Sequence, residues 1–277
     1  MDCDIGNLSA EQERFVESAK AACAGFGEQA VLLLVGSRAS GFACPDSDVD
    51  MWILGDKEYL SEEDARVYEQ RMEVLRHCGP AGAHWSFYDI DDMTDLIQTT
   101  WQDEKMWVIS TAQHLSGCRE TMDRIKQLVA SYPEDVVEAK LRMLIGEHRV
   151  LRHSLQMSAR NHPVTAFTAA GRIMETLSRI CCVADRRPYP YLKWLDAVAR
   201  TTRLGPTVFP YIDRAMASLD ELLHPPSDTH YEQWTPVKEL MGALQPLQEG
   251  LKANGWDREW VDKPWMNIGN YLNRLHA

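Results

Sequence analysis

The sequence predicts an α+β protein, with strands confined to its N-terminal part and an all-α C-terminal part. Three observations predict it. Short apolar runs of strand composition occur at Ala30–Val35, Asp48–Leu54 and His84–Ile90. From about Arg119 such runs disappear and helical periodicity takes over, broken at Pro133, Pro163, Pro188 to Pro190, Pro206, Pro210 and Pro236. The length of 277 residues suits two domains, at roughly 150 residues each. The expected division is into residues 1–118 and 119–277, within a transition zone from Leu115 to Tyr132.

Each element has a local reason. Ser9 followed three residues later by Gln12 forms a capping box, and Phe15, Val16, Ala19 and Ala22 recur at helical spacing, so a helix is expected from Ser9 to about Ala24. Ala30–Val35 is continuously apolar and stops at Gly36, as suits a strand buried on both faces. A polar loop runs to Ser47, and Asp48–Leu54 is the second strand. Ser61 with Asp64 opens a helix to about His77, and His84–Ile90 is a third strand. In the C-terminal half, a helix is expected over Asp135–Arg160, and the Pro188–Trp194 segment opens another that carries Lys193 among aromatics. Arg172 and Arg179, seven apart, share a helix face, and pairing with the chain's acids is their expected role. The nine Trp residues suit core packing, with lining of a pocket for a ring-bearing substrate as the alternative.

Composition bounds the function. Lys and Arg number 29 against 41 Asp and Glu, a net charge of -12, so the overall field repels a phosphate backbone and disfavours long nucleic acid as a partner. A cation, or a nucleotide that arrives with its metal, suits that sign better. The seven cysteines are odd in number and form no C-x-x-C pair, which suggests reduced thiols in a cytoplasmic protein. The acidic N-terminus lacks a signal-peptide pattern, and no apolar run approaches the roughly 18 residues of a membrane span, so no membrane partner is expected.

The segment that carries chemistry runs from Val35 to Leu54: a buried strand, Gly36–Ser37, a loop, then Asp48-x-Asp50 in a strand. Side chains alternate along a strand, so Asp48 and Asp50 share a face while Val49, Met51 and Ile53 take the other into the core. Two aligned carboxylates suit magnesium, which takes one or two protein carboxylates and completes its shell with water and phosphate oxygens. A solvated acidic edge or a helix cap at Ser47 and Asp48 is the plainer reading of the pair alone. Gly36 lets the backbone approach closely, and the Ser37 hydroxyl with neighbouring N–H groups can bind phosphate oxygens beside the metal.

Gly36–Ser37, ten residues, then Asp48-x-Asp50, with Gly41 and Ser47 in place, resembles the nucleotidyltransferase superfamily typified by DNA polymerase beta, in the form seen in bacterial antibiotic nucleotidyltransferases and minimal nucleotidyltransferase domains. The specific match covers about twenty residues. The resemblance implies a small mixed β-sheet domain followed by a helical bundle, and a nucleoside triphosphate, with ATP the first choice, held by two Mg2+ ions. Asp48 and Asp50 would hold the metals, and Gly36, Ser37, Arg38 and Ser47 would line the triphosphate. The family adds a third carboxylate from a later strand. Asp89 is the candidate here, as catalytic and metal-binding residue, although it sits at the far end of its strand. His84 is a substitute if Asp89 lies at the wrong depth, against the plainer reading of a strand-end residue bonded to backbone. In the helical half, Glu147 and His148 are candidate bases, with an exposed acid in a charged helix as the ordinary reading of Glu147. Lys193 is a candidate triphosphate ligand, with solvent exposure as the alternative.

The implied activity is magnesium-dependent transfer of a nucleoside monophosphate from a triphosphate to a hydroxyl of a small-molecule acceptor, such as an aminoglycoside-like cation, with pyrophosphate released. The alternatives are a protein-modifying nucleotidyltransferase and a catalytically weak or inactive nucleotide-binding, antitoxin-like module. A homodimer is compatible with the family, but no residue demands it.

Overall fold

In the computed structural model, residues 8–77, 82–224, 226 and 229–274 are described. The N-terminal elements are α1 (Ala10–Cys23), β1 (Val31–Val35), α2 (Gly36–Ser40), β2 (Val49–Gly55), α3 (Glu62–Arg71), β3 (Val74–His77), β4 (Ala83–Asp89), α4 (Ile90–Thr100), α5 (Asp103–Thr111), β5 (Gln113–Gly117) and α6 (Arg119–Ala130). The Ser9 capping box closes the start of α1 as its sequence predicts, with Gln12 N–H donating to Ser9 Oγ and Ser9 N–H to Gln12 Oε1.

The five strands form one mixed sheet in the order β3-β4-β2-β1-β5. β1 runs antiparallel to β2 and β5, β4 runs parallel to β2, and β3 runs antiparallel to β4. β1 is buried along its whole length, as its unbroken apolar run requires. One face of the sheet, carrying Leu32, Leu34, Val49, Met51, Ile53, Trp85 and Phe87, packs into a core with Phe15, Val16 and Ala19 of α1. The fold class is α+β, with a small mixed sheet and many helices.

Two features of this part depart from expectation. The helix opened by Ser61 ends at Arg71 rather than near His77, because Met72 adopts a left-handed conformation (φ 54°) and the chain turns into β3. β5 is a further strand, half-buried at the sheet edge. The first unit extends to Tyr132, at the far end of the expected transition zone, and the second runs over Pro133–Ala277. The physical reason lies in α6, where Ile125 and Val129 are buried, Thr121 Oγ1 donates to Gln29 Oε1 (3.1 Å), and Lys126 Nζ donates to the Ala112 carbonyl (2.6 Å). Tyr132 closes the unit, its hydroxyl donating to Asp103 Oδ1 at 3.0 Å and its ring stacking on Trp101.

The second unit is helical among its described residues: α7 (Glu134–Ser158), α8 (Pro163–Ala184), α9 (Leu192–Arg200), α10 (Gly205–Met216), α11 (Thr235–Gly242), α12 (Leu244–Ala253), α13 (Glu259–Asp262) and α14 (Ile268–Arg274). α7 and α8 form its central hairpin and bury Leu141, Leu144, Leu151 and Leu155 together with Ala166, Ala170, Ile173 and Leu177. Prolines open α8, α10 and α11, where a missing N–H costs nothing. Pro210 differs from expectation: α10 continues through it. The end of α8 is closed from α12 onward, since Asn254 Nδ2 and Trp256 Nε1 both donate to the Ala184 carbonyl. Most of the described Trp residues are core, while Trp265 is exposed. Cys23, Cys44, Cys118 and Cys181 are free thiols. No helix among the described residues is long and apolar enough to cross a membrane.

Candidate active site

The site lies at one end of β2. The antiparallel register pairs Val35 with Asp50, so the chain leaves β1 at Gly36 directly beside the Asp50 carboxylate. Gly36 has φ +71°, and a Cβ there would lie 2.3 Å from Asp50 Oδ2. Asp48 has a similar neighbour: Gly82, at φ +70°, would place a Cβ 2.0 Å from Asp48 Oδ1, and its carbonyl accepts from Val49 N–H. Both carboxylates therefore sit against backbone that only glycine allows. Val49, Met51 and Ile53 are fully buried on the opposite face, the alternation expected of the strand.

The loop between Gly36 and Asp48 is held by its own side chains. Arg38, expected among the triphosphate ligands, donates through Nη2 and Nε to the Ser47 carbonyl (2.8 and 3.2 Å) and through Nε to that of Asp48. Ser47 Oγ accepts from Cys44 N–H at 2.8 Å. These two residues shape the loop that carries Asp48. Ser40 Oγ donates to the Gly36 carbonyl, and Gln113 Nε2 to that of Ala39, which fixes α2 behind the Gly36–Ser37 turn.

Asp89 is corrected. In the parallel register of β2 and β4 it pairs with Gly55, whereas Asp50 pairs with His84. Five residues of strand, about 16 Å at the usual rise, separate those two levels. Asp89 instead caps α4: Oδ1 accepts from the N–H groups of Asp91 and Asp92, and Oδ2 from Lys57 N–H, all within 3.0 Å. It is 5% exposed and has its capacity filled by backbone. It is no partner of Asp48 and Asp50.

His84 meets Asp50, with Nε2 2.7 Å from Asp50 Oδ1. The same face continues along the sheet through Trp52, Ser86 and Tyr88. Lys105 Nζ lies over the Trp52 and Tyr88 rings and donates to the Tyr88 hydroxyl at 3.0 Å, and burial lowers its pKa. Neither Lys105 nor Gly82 carries a signal in the sequence, because both depend on which strands neighbour β2.

The donor set fits a divalent ion only in part by itself. Among the described residues, no group of three or more His, Cys, Asp and Glu side chains is arranged to hold a metal. An ion at Asp50 would need ligands from outside the protein, as a triphosphate and water provide.

The remaining candidates belong to the helical unit. Glu147 is not an exposed acid: it is 8% exposed, and its Oε1 accepts from Arg172 Nη2 at 2.7 Å. A carboxylate in that pairing holds α7 to α8. Arg179 pairs with Glu175. His148 is buried at 1% exposure, and burial, reinforced by Arg152 and Arg149, pushes its pKa down to about 3. Lys193 is exposed, with Nζ 4.0 Å from the Trp194 ring centroid.

Comparison with known proteins adds three findings. A family model described as "Domain of unknown function (DUF4037)" matches residues 99–195, from α4 into α9, and so does not include the Gly36–Asp50 segment. No curated protein matches the chain. Among solved structures, the crystal structure of a nucleotidyltransferase-like protein from Exiguobacterium sibiricum 255-15 is similar at a TM-score of 0.49 and 10% sequence identity, over 97% of this chain and 91% of that one.

Proposed function

We propose that the chain is a metal-dependent nucleotidyltransferase, with Gly36–Ser37 and the Asp48/Asp50 pair as its nucleotide site. The observation that carries this reading is the contact of the left-handed Gly36 with the Asp50 carboxylate, which sets a turn suited to phosphate oxygens against an acid that would repel them. A divalent cation resolves that conflict, because it is attracted by both.

The residues divide the work. The Ser37 hydroxyl and the N–H groups of its turn would donate to triphosphate oxygens. Asp50, with Asp48 two residues before it, would hold the cation side of the complex, and Arg38 and Ser47 would keep the Asp48 loop in place. When bound, the metal would neutralise charge on the phosphates and stabilise the attacking and departing oxygens. In the transfer, an acceptor hydroxyl oxygen bonds to the α-phosphorus, the bond from that phosphorus to pyrophosphate breaks, and the hydroxyl proton passes to solvent. A small cationic acceptor suits the net charge of -12, and ATP with magnesium is the first pair to test.

The displacement of Asp89 favours a second reading, a nucleotide-binding module with little turnover, since His84 stands where a third carboxylate is expected. Thermal unfolding with ATP, GTP, CTP and UTP, each with and without divalent metal, tests both readings, because a ligand of the native state raises stability by mass action. A metal-dependent shift for one nucleotide supports the site. Pyrophosphate release with candidate acceptors then separates transferase from binder, and the lack of any shift contradicts both.

A further inference from the structure

The level of β4 beside Asp50 is occupied by an imidazole, and its geometry bears on which metal the site accepts. This inference rests on the nucleotide-site reading above. His84 and Asp50 face each other across neighbouring parallel strands, with Nε2 and Oδ1 2.7 Å apart and the two side chains 33% and 26% exposed. Adjacent ligands of an octahedral ion with bonds of about 2.1 Å lie about 3 Å apart. The pair is thus within a few tenths of an ångström of the spacing that two ligands of one ion require, and a cation can take the place of the proton between them. Both groups are open enough to solvent for an ion to enter with water and phosphate oxygens on its other positions.

We infer that His84 is a direct metal ligand together with Asp50, and that this mixed nitrogen and oxygen pair makes the site select a divalent transition ion, manganese or cobalt, over magnesium. The chemistry follows from the donors. Magnesium favours all-oxygen shells, whereas imidazole nitrogen suits transition ions, and affinity at a nitrogen site rises from Mn2+ to Co2+. Gly36 sets the Asp50 carboxylate, and its close approach keeps bulk away from the oxygen side of the pair.

Mn2+ binding by electron paramagnetic resonance tests this, since the six-line signal of the free ion is lost on binding. The full chain is titrated with Mn2+ in the presence of ATP, then displaced by Mg2+ or by Co2+, for the wild type, His84→Ala and His84→Asp. The expected result is a preference for Mn2+ over Mg2+ at least about tenfold greater than that of ATP alone, with Co2+ displacing Mn2+ more readily than Mg2+ does. His84→Ala should weaken Mn2+ binding, and His84→Asp should restore Mg2+ binding and collapse the preference by about the same factor. Circular dichroism of both variants establishes that they fold, and if one fails, the other carries the comparison. Equal preference in the wild type and His84→Asp, with metal-dependent ATP binding intact, overturns the inference and leaves the nucleotide site standing. Failure of ATP to bind with any of the three metals overturns the nucleotide site itself.

Discussion

Gly36 and Asp50 are in contact through space that no side chain could share: a Cβ on residue 36 would lie 2.3 Å from Asp50 Oδ2, at a backbone φ of +71°. Gly36→Ala therefore meets two penalties at once. The left-handed conformation alone costs an L-residue about 1–2 kcal/mol, and the displaced carboxylate adds to it. Urea unfolding should show a loss of at least that size, and nucleotide-dependent stabilisation should disappear. A variant that unfolds like the wild type would mean that the turn relaxes and that the contact does not constrain the site.

Asp89 gives a contrasting prediction. Its carboxylate accepts three backbone N–H groups at the start of α4 and before α3, so Asp89→Ala should destabilise by about 1–2 kcal/mol, in the range of lost helix caps. Asp89→Asn keeps an acceptor oxygen and should lose less. Neither should change the nucleotide-dependent shift in melting temperature once the lower baseline is subtracted. A selective loss of nucleotide response in Asp89→Asn would return it to the site.

The Glu147–Arg172 pair ties α7 to α8 within the helical unit. Glu147 is mostly buried while Arg172 is half-exposed, so solvent screens the pair and discounts its strength. Arg172→Met should cost about 1–2 kcal/mol, chiefly by leaving a buried carboxylate without its donor. Glu147→Gln retains a hydrogen bond to Arg172 and should cost less. The check is chemical denaturation of both variants, and the reverse order would contradict a structural role for the pair.

His148 predicts a pH dependence. Burial holds its folded-state pKa at about 3, below the ordinary 6.5, and among the described residues its Nε2 meets no hydrogen-bond partner. The unfolded chain therefore binds more protons between those values, so stability falls as pH drops from about 6.5 toward 3 and is fully present above 6.5. The effect is on the order of a few kcal/mol at most. His148→Gln should flatten the slope of unfolding free energy against pH in that window relative to wild type. An unchanged slope would show that other groups set the acid response.

How far the sequence reveals this molecule depends on whether a signal is local. The capping box at Ser9, the unbroken apolar run of β1 and the core face of Val49, Met51 and Ile53 in β2 are local, and each is found where its residues predict it. β5, Gln113–Gly117, is a half-buried edge strand with a mostly polar sequence, so no period marks it. β3 follows a helix with no Gly or Pro between them, and only the left-handed Met72 makes the turn. The site divides in the same way. The ten-residue spacing from Ser37 to Asp48 is legible along the chain. Depth along the sheet is not: Asp89 and His84 lie in one strand run, and only the parallel register of β4 on β2 sets the second beside Asp50 and the first at the far end. Burial of Glu147 is likewise invisible until α8 brings Arg172 to it.

In the function we propose, the Asp50 carboxylate, set against the Gly36–Ser37 turn, binds a nucleoside triphosphate through a divalent ion. Calorimetric titration of wild type and Asp50→Asn with ATP, in the presence and absence of Mn2+ and Mg2+, tests it most directly. The account predicts metal-dependent binding to the wild type, its loss in Asp50→Asn, and an unchanged or raised melting temperature of the unliganded variant, since a negative charge is removed beside the Asp48 carboxylate. Binding of equal strength in Asp50→Asn, or binding that ignores the metal, would contradict it.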